Sequence, residues 1–178
     1  MRYPRWVDVI DETAAVLASL RGVWDELAVD ELDHALQCGQ LASSAGADDD
    51  FVLACALHDI GHSPLLGPAD DHHHDRAAQD WLTPRFGVRV GWLAGAHVGA
   101  KQFLAATEES YAATLSEVSV TSLGRQGGSV VDRELLGHPW WADALRLRRS
   151  DDGAKVVGAH ALSIDEVLTI AARISGAP

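Results

Sequence analysis

The chain has 178 residues, of which 47% are hydrophobic and 22% are charged, as is ordinary for one globular domain. Its 26 acidic residues against 14 Lys and Arg give a formal net charge of −12, which argues against a protein whose main task is to hold nucleic acid, because that task needs a basic surface. Two cysteines, Cys38 and Cys55, are too few for a disulfide scaffold, and their apolar surroundings favour reduced core thiols in a cytoplasmic protein.

The N-terminus predicts no targeting segment. Residues 1–11 include charges at Arg2, Arg5, Asp8 and Asp11 and lack the apolar core of a signal peptide. No apolar run reaches the roughly 18 residues that a membrane span requires. The sequence therefore predicts a cytoplasmic protein with neither a membrane nor nucleic acid as a partner.

The apolar periodicity is helical almost throughout, so the predicted fold class is all-α, in one domain. A first helix is expected at 7–27, and a second, capped by Asp30, runs to about Ser43. The stretch 51–60 is apolar on nearly every side, which predicts a buried helix. Further helices are predicted at 73–83, 88–104, 108–116, 131–136, 138–149 and 163–175, separated by breaks at Pro84, Gly87, Gly127, Gly128 and Gly153.

A His-Asp pair follows the apolar run 52–57. The carboxylate of Asp59 is costly inside a buried helix unless it is paired or binds a metal. An imidazole and a carboxylate side by side, as in His58-Asp59, suit a metal ion with mixed nitrogen and oxygen ligands. A helix end with Gly61 as its cap is the structural alternative. Four more residues favour the metal: His34, His74, His97 and Asp151.

The remaining histidines differ in context. In the triplet 72–74, His74 fits a ligand best because a helical pattern begins there. His72 and His73 are predicted to be exposed loop residues. His138 and His160 have no such context and are interpreted as ordinary histidines.

A lysine follows one candidate ligand by one helical turn. The spacing of four residues places His97 and Lys101 on one helix face. Because two cations repel each other, this pair makes sense if an anionic ligand bridges them.

The segment 147–155 crowds charges at a predicted helix end. Arg148 and Asp151 are three residues apart and can face the same way. The other charges are interpreted as a solvated helix end: Arg149, Asp152 and Lys155.

In this order, the candidate ligands resemble those of the HD-domain proteins, an all-α metal-dependent superfamily best known for phosphohydrolases. The chain is more closely similar to the HD-domain mixed-valence diiron oxygenases that degrade organophosphonates, with the myo-inositol oxygenases as more distant relatives. The motifs that carry this resemblance are His58-Asp59-Ile60-Gly61-His62, His74-Asp75, His97-Val98-Gly99-Ala100-Lys101, Ser122-Leu123…Gln126-Gly127-Gly128 and Leu147-Arg148…Asp151-Asp152. The resemblance covers about residues 30–155 and implies one HD-domain helical bundle.

The resemblance implies a pair of irons, Fe(II) and Fe(III), with O2 as cosubstrate. Three residues would hold one iron: His34, His58 and Asp151. Two residues would hold the other iron, and a carboxylate would bridge both: His74, His97 and the bridging Asp59.

The resemblance also implies a small anionic organophosphonate as substrate, with these groups binding it: Lys101, Ser119 and Arg148. A guanidinium can grip phosphonate oxygens in a bidentate fork, whereas a lysine acts as a point charge. His62 is implied to lie near the site as a substrate contact or a proton carrier. With a mixed-valence iron pair, the pocket is expected to be strongly positive inside an acidic protein.

One part of the pattern departs from the family. Phosphonate-cleaving relatives have a Tyr and a Glu ahead of the first ligand that sense a substrate amine, and Trp24 and Leu27 stand at these places. A primary ammonium substrate is therefore disfavoured. Trp24 is interpreted as core packing, with a cation–π contact to a quaternary ammonium as the alternative.

The leading hypothesis is an O2-dependent diiron oxygenase that oxidises a 1-hydroxyphosphonate, cleaves its C–P bond and releases phosphate. A variant is hydroxylation without cleavage, on a phosphonate or a polyol. The first alternative is a metal-dependent HD phosphohydrolase of a small phosphate ester. The second is a metal- or nucleotide-sensing module, which the complete ligand set disfavours. The resemblance further implies a separate hydroxylase that supplies the substrate.

Overall fold

The computed structural model describes residues 6–25, 27–67 and 73–176, and in these ranges every regular element is helical. The all-α fold class is thereby confirmed. The α-helices, in chain order, are α1 (Trp6–Ser19), α2 (Glu31–Ser44), α3 (Asp49–Leu57), α4 (His74–Phe86), α5 (Val88–Thr107), α6 (Glu109–Ala112), α7 (Glu117–Arg125), α8 (Arg133–Leu136), α9 (Trp141–Gly153) and α10 (Ile164–Ser175). A short 3-10 helix, Ile60–His62, follows α3.

Helix α3 lies at the centre of the core. The side chain of Asp48 caps its first turn by accepting a hydrogen bond from the backbone N–H of Phe51 at 2.9 Å. Residues 51–57 are all buried, as the unbroken apolar run predicts. Because α3 packs against α2, α5, α9 and α10, its C-terminal end points into the bundle, where His58 is fully buried.

Helices α4 and α5 pack closely because glycines on α5 face α4. A Cβ atom on Gly91 would lie 2.1 Å from Oγ1 of Thr83, and one on Gly95 would lie 2.2 Å from Oε1 of Gln79. Pro84 does not break α4, which continues to Phe86. The proline lies in the last turn, so only one hydrogen bond near the helix end is lost.

The predicted helices differ most from the structure in two regions, at the end of α1 and around α6 and α7. Helix α1 ends at Ser19 instead of residue 27, because Gly22 adopts a φ of +79° and turns the chain. The chain then enters α2, which the side chain of Asp30 caps as predicted.

Only α6 forms within the predicted helix 108–116, and α7 was not predicted at all. Helix α7 is rich in Ser and β-branched residues, which have low helix propensity. The side chain of Ser116 stabilises its first turn by accepting a hydrogen bond from the backbone N–H of Ser119.

Gly61 is not the C-cap of α3. That helix ends at Leu57, and Gly61 lies in the 3-10 helix without a positive φ. A Cβ atom at this position would lie 2.0 Å from the carbonyl oxygen of His74. The glycine is therefore needed for close contact between the 3-10 helix and the start of α4.

Both cysteines are buried in the core as free thiols, as predicted. In the part of the chain that the structure describes, no helix combines the length and the apolar character that a membrane crossing requires.

Gly61→Ala is expected to lower the free energy of unfolding by about 1–3 kcal/mol or more, because the new methyl group would meet backbone atoms of His74 that cannot rotate away. Gly124→Ala is the matched control. Nothing lies within 4 Å of a Cβ atom at this helical position, so the change should stabilise the protein by roughly 0.5–1 kcal/mol. Chemical denaturation measures both effects, and a Gly61→Ala protein as stable as the wild type would contradict the close contact.

Candidate metal centre

The six predicted ligands converge on one place from five parts of the fold. They are His34 on α2, His58 and Asp59 at the end of α3, His74 at the start of α4, His97 on α5 and Asp151 on α9. The four histidines and Asp151 are at most 5% exposed. Such a concentration of imidazoles and carboxylates in an apolar core is costly unless its members satisfy one another or a metal.

The carboxylate of Asp59 lies between two pairs of histidines. Its Oδ2 atom is 3.4 Å from Nε2 of His34 and 3.0 Å from Nε2 of His58. Its Oδ1 atom is 3.5 Å from Nε2 of His74 and 3.2 Å from Nε2 of His97. Each oxygen thus faces a different pair, which is the arrangement that a bridging carboxylate requires.

The second carboxylate, Asp151, lies against the pair formed by His34 and His58. Oδ1 of Asp151 is 3.4 Å from Nε2 of His34, and Oδ2 is 3.5 Å from Nε2 of His58. In the other pair, the Nε2 atoms of His74 and His97 are 3.1 Å apart. Two ligand atoms that are each about 2.1 Å from one metal lie roughly 3.0–3.5 Å apart, so these spacings fit two neighbouring metal positions.

Two buried atoms in the cluster have no hydrogen-bond partner among the described residues: Nε2 of His58 and Oδ1 of Asp59. Buried polar atoms without a partner are rare in native proteins. One metal ion would bind Nε2 of His58 and a second would bind Oδ1 of Asp59, so the residues present fit a two-metal centre. Carboxylates mixed with imidazoles suit iron and other divalent or trivalent transition metals.

Backbone carbonyls orient three of the histidines. The Nδ1 atoms of His34, His58 and His97 each lie within hydrogen-bond distance of a carbonyl oxygen. The acceptors are, in the same order, Ala154 at 2.9 Å, Cys55 at 2.8 Å and Ala94 at 2.5 Å. A proton on Nδ1 leaves the lone pair of Nε2 directed into the cluster, as in known metal sites.

Arg148 holds the predicted ligand Asp151 in place, as their spacing predicts. Its Nη1 donates to Oδ2 of Asp151 at 2.5 Å, its Nε donates to the hydroxyl of Tyr111 at 3.0 Å, and its Nη2 contacts Asp152. Burial alone would raise the pKa of Asp151, but the charges of Arg148 and Lys155 outweigh burial and keep this pKa well below its usual range. Asp152 is therefore part of the buried network and not a solvated helix end.

A pocket opens beside the cluster, and one of its walls carries cationic and hydroxyl groups. Nζ of Lys101 donates to Oγ of Ser122 at 3.0 Å, and Nζ of Lys155 donates to Oγ of Ser119 at 3.2 Å. Burial, with the neighbouring charge of Arg148, lowers the pKa of Lys101 to about 8. We call these four residues, Lys101, Ser119, Ser122 and Lys155, the cationic wall.

The interpretation of Lys155 as solvated is wrong. Its side chain is only 16% exposed and lies 3.8 Å from Oδ1 of Asp151. The signal that could have found it is its spacing of four residues after that ligand. Arg149, by contrast, is exposed as predicted and pairs with Glu108 at 2.9 Å.

His62 lines the same pocket, as the resemblance implies. Its ring stacks on that of His74, with the centroids 4.4 Å apart. Its Nε2 atom is 3.9 Å from Oδ2 of Asp25, which also lines the pocket. His62 is only 4% exposed, so it is a buried part of the pocket lining.

Glu31 is a second acidic pocket residue that sequence reasoning missed. It is 1% exposed, lines the pocket with Asp25, and precedes His34 by three residues on α2, a spacing that places both on one helix face. Burial, together with the charge of Asp59, raises the pKa of Glu31 to about 7.

The two residues that depart from the family pattern lie on the surface. Trp24 is 63% exposed and Leu27 is 80% exposed, so the interpretation of Trp24 as core packing is wrong. Both residues follow the end of α1, where the predicted continuation of the helix would have buried one face.

The histidines outside the cluster behave as predicted where the structure describes them. His73 and His160 are exposed, and His138 stacks on Trp92 with ring centroids 3.6 Å apart. His72 lies outside the described residues.

No family model matches the chain. Similar proteins include hydroxymethylphosphonate dioxygenase of Gimesia maris, 37% identical over 158 residues, a match that covers 82% of this chain and 77% of that protein. The [1-hydroxy-2-(trimethylamino)ethyl]phosphonate dioxygenase (glycine-betaine-forming) of Leisingera caerulea is 31% identical over 132 residues, 69% of this chain and 67% of that protein. An uncharacterized protein of Acanthamoeba polyphaga mimivirus is 29% identical over 146 residues, 76% of this chain and 67% of that protein.

Replacing individual ligands should remove metal stepwise. Asp59→Ala is expected to lose both metals because each oxygen of Asp59 faces a different histidine pair, whereas His97→Ala should keep the metal on the other side. His138→Ala, in the stack with Trp92, is the control and should keep the full content. Elemental analysis after anaerobic purification counts the metal, and a wild-type content in Asp59→Ala would contradict the bridging assignment.

Proposed function

The chain belongs to the phosphonate-degrading HD-domain oxygenases, and on this premise we propose that it is an O2-dependent oxidoreductase that acts on a 1-hydroxyphosphonate. The proposal includes two irons, held by the six clustered ligands, in a single HD domain. Both similar dioxygenases are named for phosphonates with a hydroxyl on the carbon bonded to phosphorus. We propose that this carbon is oxidised, that the C–P bond breaks, and that phosphate leaves.

The observation that carries the proposal is the two-sided ligand cluster next to a cationic wall. Because Asp59 faces one histidine pair with each oxygen, the cluster supports two metals better than the single metal of a minimal hydrolase. Lys101 and Lys155 bring two ammonium groups to the same pocket. A phosphonate offers oxygens to both the metals and these cations.

The residues of the cationic wall are proposed to bind and orient the phosphonate. Lys101 and Lys155 supply positive charge, and Ser119 and Ser122 supply hydroxyls that are already held by the lysines. Arg148 adds positive charge from behind Asp151, and its proposed bidentate grip on phosphonate would require a change in its present pairing with two carboxylates.

Two irons bound in the cluster would supply the activation of O2 and the removal of hydrogen from the substrate carbon. The overall reaction balances as R–CH(OH)–PO3²⁻ + O2 → R–COO⁻ + HPO4²⁻ + H⁺. Since O2 takes up all four electrons, no further reductant is needed. The name of the Leisingera caerulea enzyme gives a carboxylate, glycine betaine, as its product. We propose that His62 contacts the substrate or carries a proton, and that a separate hydroxylase supplies the substrate.

The proposed reaction predicts that O2 consumption and phosphate release occur together. Anaerobically purified, iron-loaded protein should consume about one O2 for each phosphate released from hydroxymethylphosphonate. Low-temperature EPR should show an Fe(II)/Fe(III) signal that the phosphonate perturbs. Phosphate release that is unchanged under argon, from protein loaded with zinc or manganese, would instead establish a hydrolase.

Loss of a lysine from the cationic wall should weaken phosphonate binding without loss of metal. Lys101→Ala and Lys155→Ala are each expected to raise the KM for the phosphonate by about 10-fold or more, because a charge-assisted hydrogen bond contributes roughly 1.5–3 kcal/mol. Arg149→Ala is the control, since Arg149 is exposed and pairs with Glu108. If both lysine variants bind phosphonate normally, the pocket assignment is wrong.

A further inference from the structure

Glu31 is a buried carboxylate that the metal centre does not explain. It is 1% exposed on α2, and its Oε2 atom has no hydrogen-bond partner among the described residues. A buried acceptor without a partner destabilises the fold, and more so if it is charged. Such a cost points to a ligand that the pocket receives.

The metal ligands do not account for this atom. The groups whose ligand atoms lie within 4.8 Å of one another contain His34, His58, Asp59 and Asp151 on one side, and Asp59, His62 and His74 on the other. Glu31 is in neither group. It nevertheless lines the pocket that the metal-ligand residues border.

The pocket has walls of opposite charge. The cationic wall attracts the phosphonate, and the carboxylates of Glu31 and Asp25 repel it. A phosphonate held by the lysines would leave the organic part of the substrate to Glu31 and Asp25, which we call the acidic wall.

There is room for that organic part to continue outward. A second cavity of about 410 Å³ shares Asp25 and Ser122 with the inner pocket and so adjoins it. Its lining includes charged groups of both signs and apolar side chains: Glu117, Arg125, Leu27 and Val118. A short carbon chain with a polar end suits this combination.

We propose that Glu31 is a specificity-determining residue that accepts a hydrogen bond from a hydroxyl or ammonium group on the substrate, beyond the carbon bonded to phosphorus. The inference rests on the proposed function, because it takes the phosphonate on the cationic wall as given. It adds that the preferred substrate has a hydrogen-bond donor at this place, and not a bare alkyl group.

Four 1-hydroxyphosphonates test this proposal in the iron-loaded wild-type protein. Hydroxymethylphosphonate has no carbon beyond the oxidised one, and 1-hydroxyethylphosphonate has a methyl group there. 1,2-Dihydroxyethylphosphonate has a hydroxyl, and 1-hydroxy-2-aminoethylphosphonate has an ammonium. For the better of the two donor-bearing probes, kcat/KM should be about 10-fold or more higher than for the methyl probe. Its affinity, measured by anaerobic EPR titration, should be higher by a similar factor. The comparison between these two probes identifies the donor.

Glu31→Gln keeps the shape of the side chain and removes its charge. It should lower kcat/KM for an ammonium probe by about 10–100-fold, and for a hydroxyl probe by less, because an amide oxygen still accepts a hydrogen bond. Glu31→Leu should abolish the preference for either donor over the methyl probe. Hydroxymethylphosphonate, which has no group beyond the oxidised carbon, should lose less kcat/KM than the ammonium probe in the same variant. Glu134→Gln, an exposed position on α8, is the matched control.

Three results would overturn the inference. In the first, the wild type does not distinguish the donor-bearing probes from the methyl probe, a result that needs no variant. In the second, Glu31→Gln weakens all four probes equally or loses iron, which would place Glu31 with the metal or with the common headgroup. In the third, no probe binds or consumes O2, and the proposed function then fails together with the inference.

Discussion

The structure depends on keeping two carboxylates and four imidazoles together inside an apolar helical bundle. None of these groups would be stable there alone, because burial penalises ionised and unpaired polar groups by several kcal/mol. The cluster resolves this conflict by placing Asp59 between two pairs of histidines and Asp151 against one pair. The remaining unpartnered atoms, Nε2 of His58 and Oδ1 of Asp59, leave room for metal ions as the final partners.

The surrounding elements supply the rigidity that the cluster needs. Helix α3 is buried on all sides and delivers His58 and Asp59 at its end. Carbonyl oxygens orient three imidazoles through hydrogen bonds at Nδ1. Arg148 orients Asp151 by donating a hydrogen bond to its Oδ2 atom. The cationic wall and the acidic wall line the same pocket, next to the clustered histidines and carboxylates.

Much of this arrangement could be predicted because the ligands have local signals. His58 and Asp59 follow a continuous apolar run, and Lys101 follows His97 by one turn, so residue type and helical period are sufficient. Lys155 and Glu31 have the same spacing signals but also resemble ordinary surface charges. Only the tertiary packing shows that Glu31 is buried and that Lys155 is mostly covered. The end of α1 was missed because the apolar pattern continues past Gly22, where the backbone turns.

The contact between Gly61 and the carbonyl of His74 has a consequence for how this chain can vary. It joins the main chain next to His58 and Asp59 directly to the main chain of His74, across the connection between the 3-10 helix and α4. The distance between the two histidine pairs is therefore set by a contact between main-chain atoms of Gly61 and His74. A residue larger than glycine at position 61 would therefore change the spacing of the two histidine pairs even though it contacts neither of them.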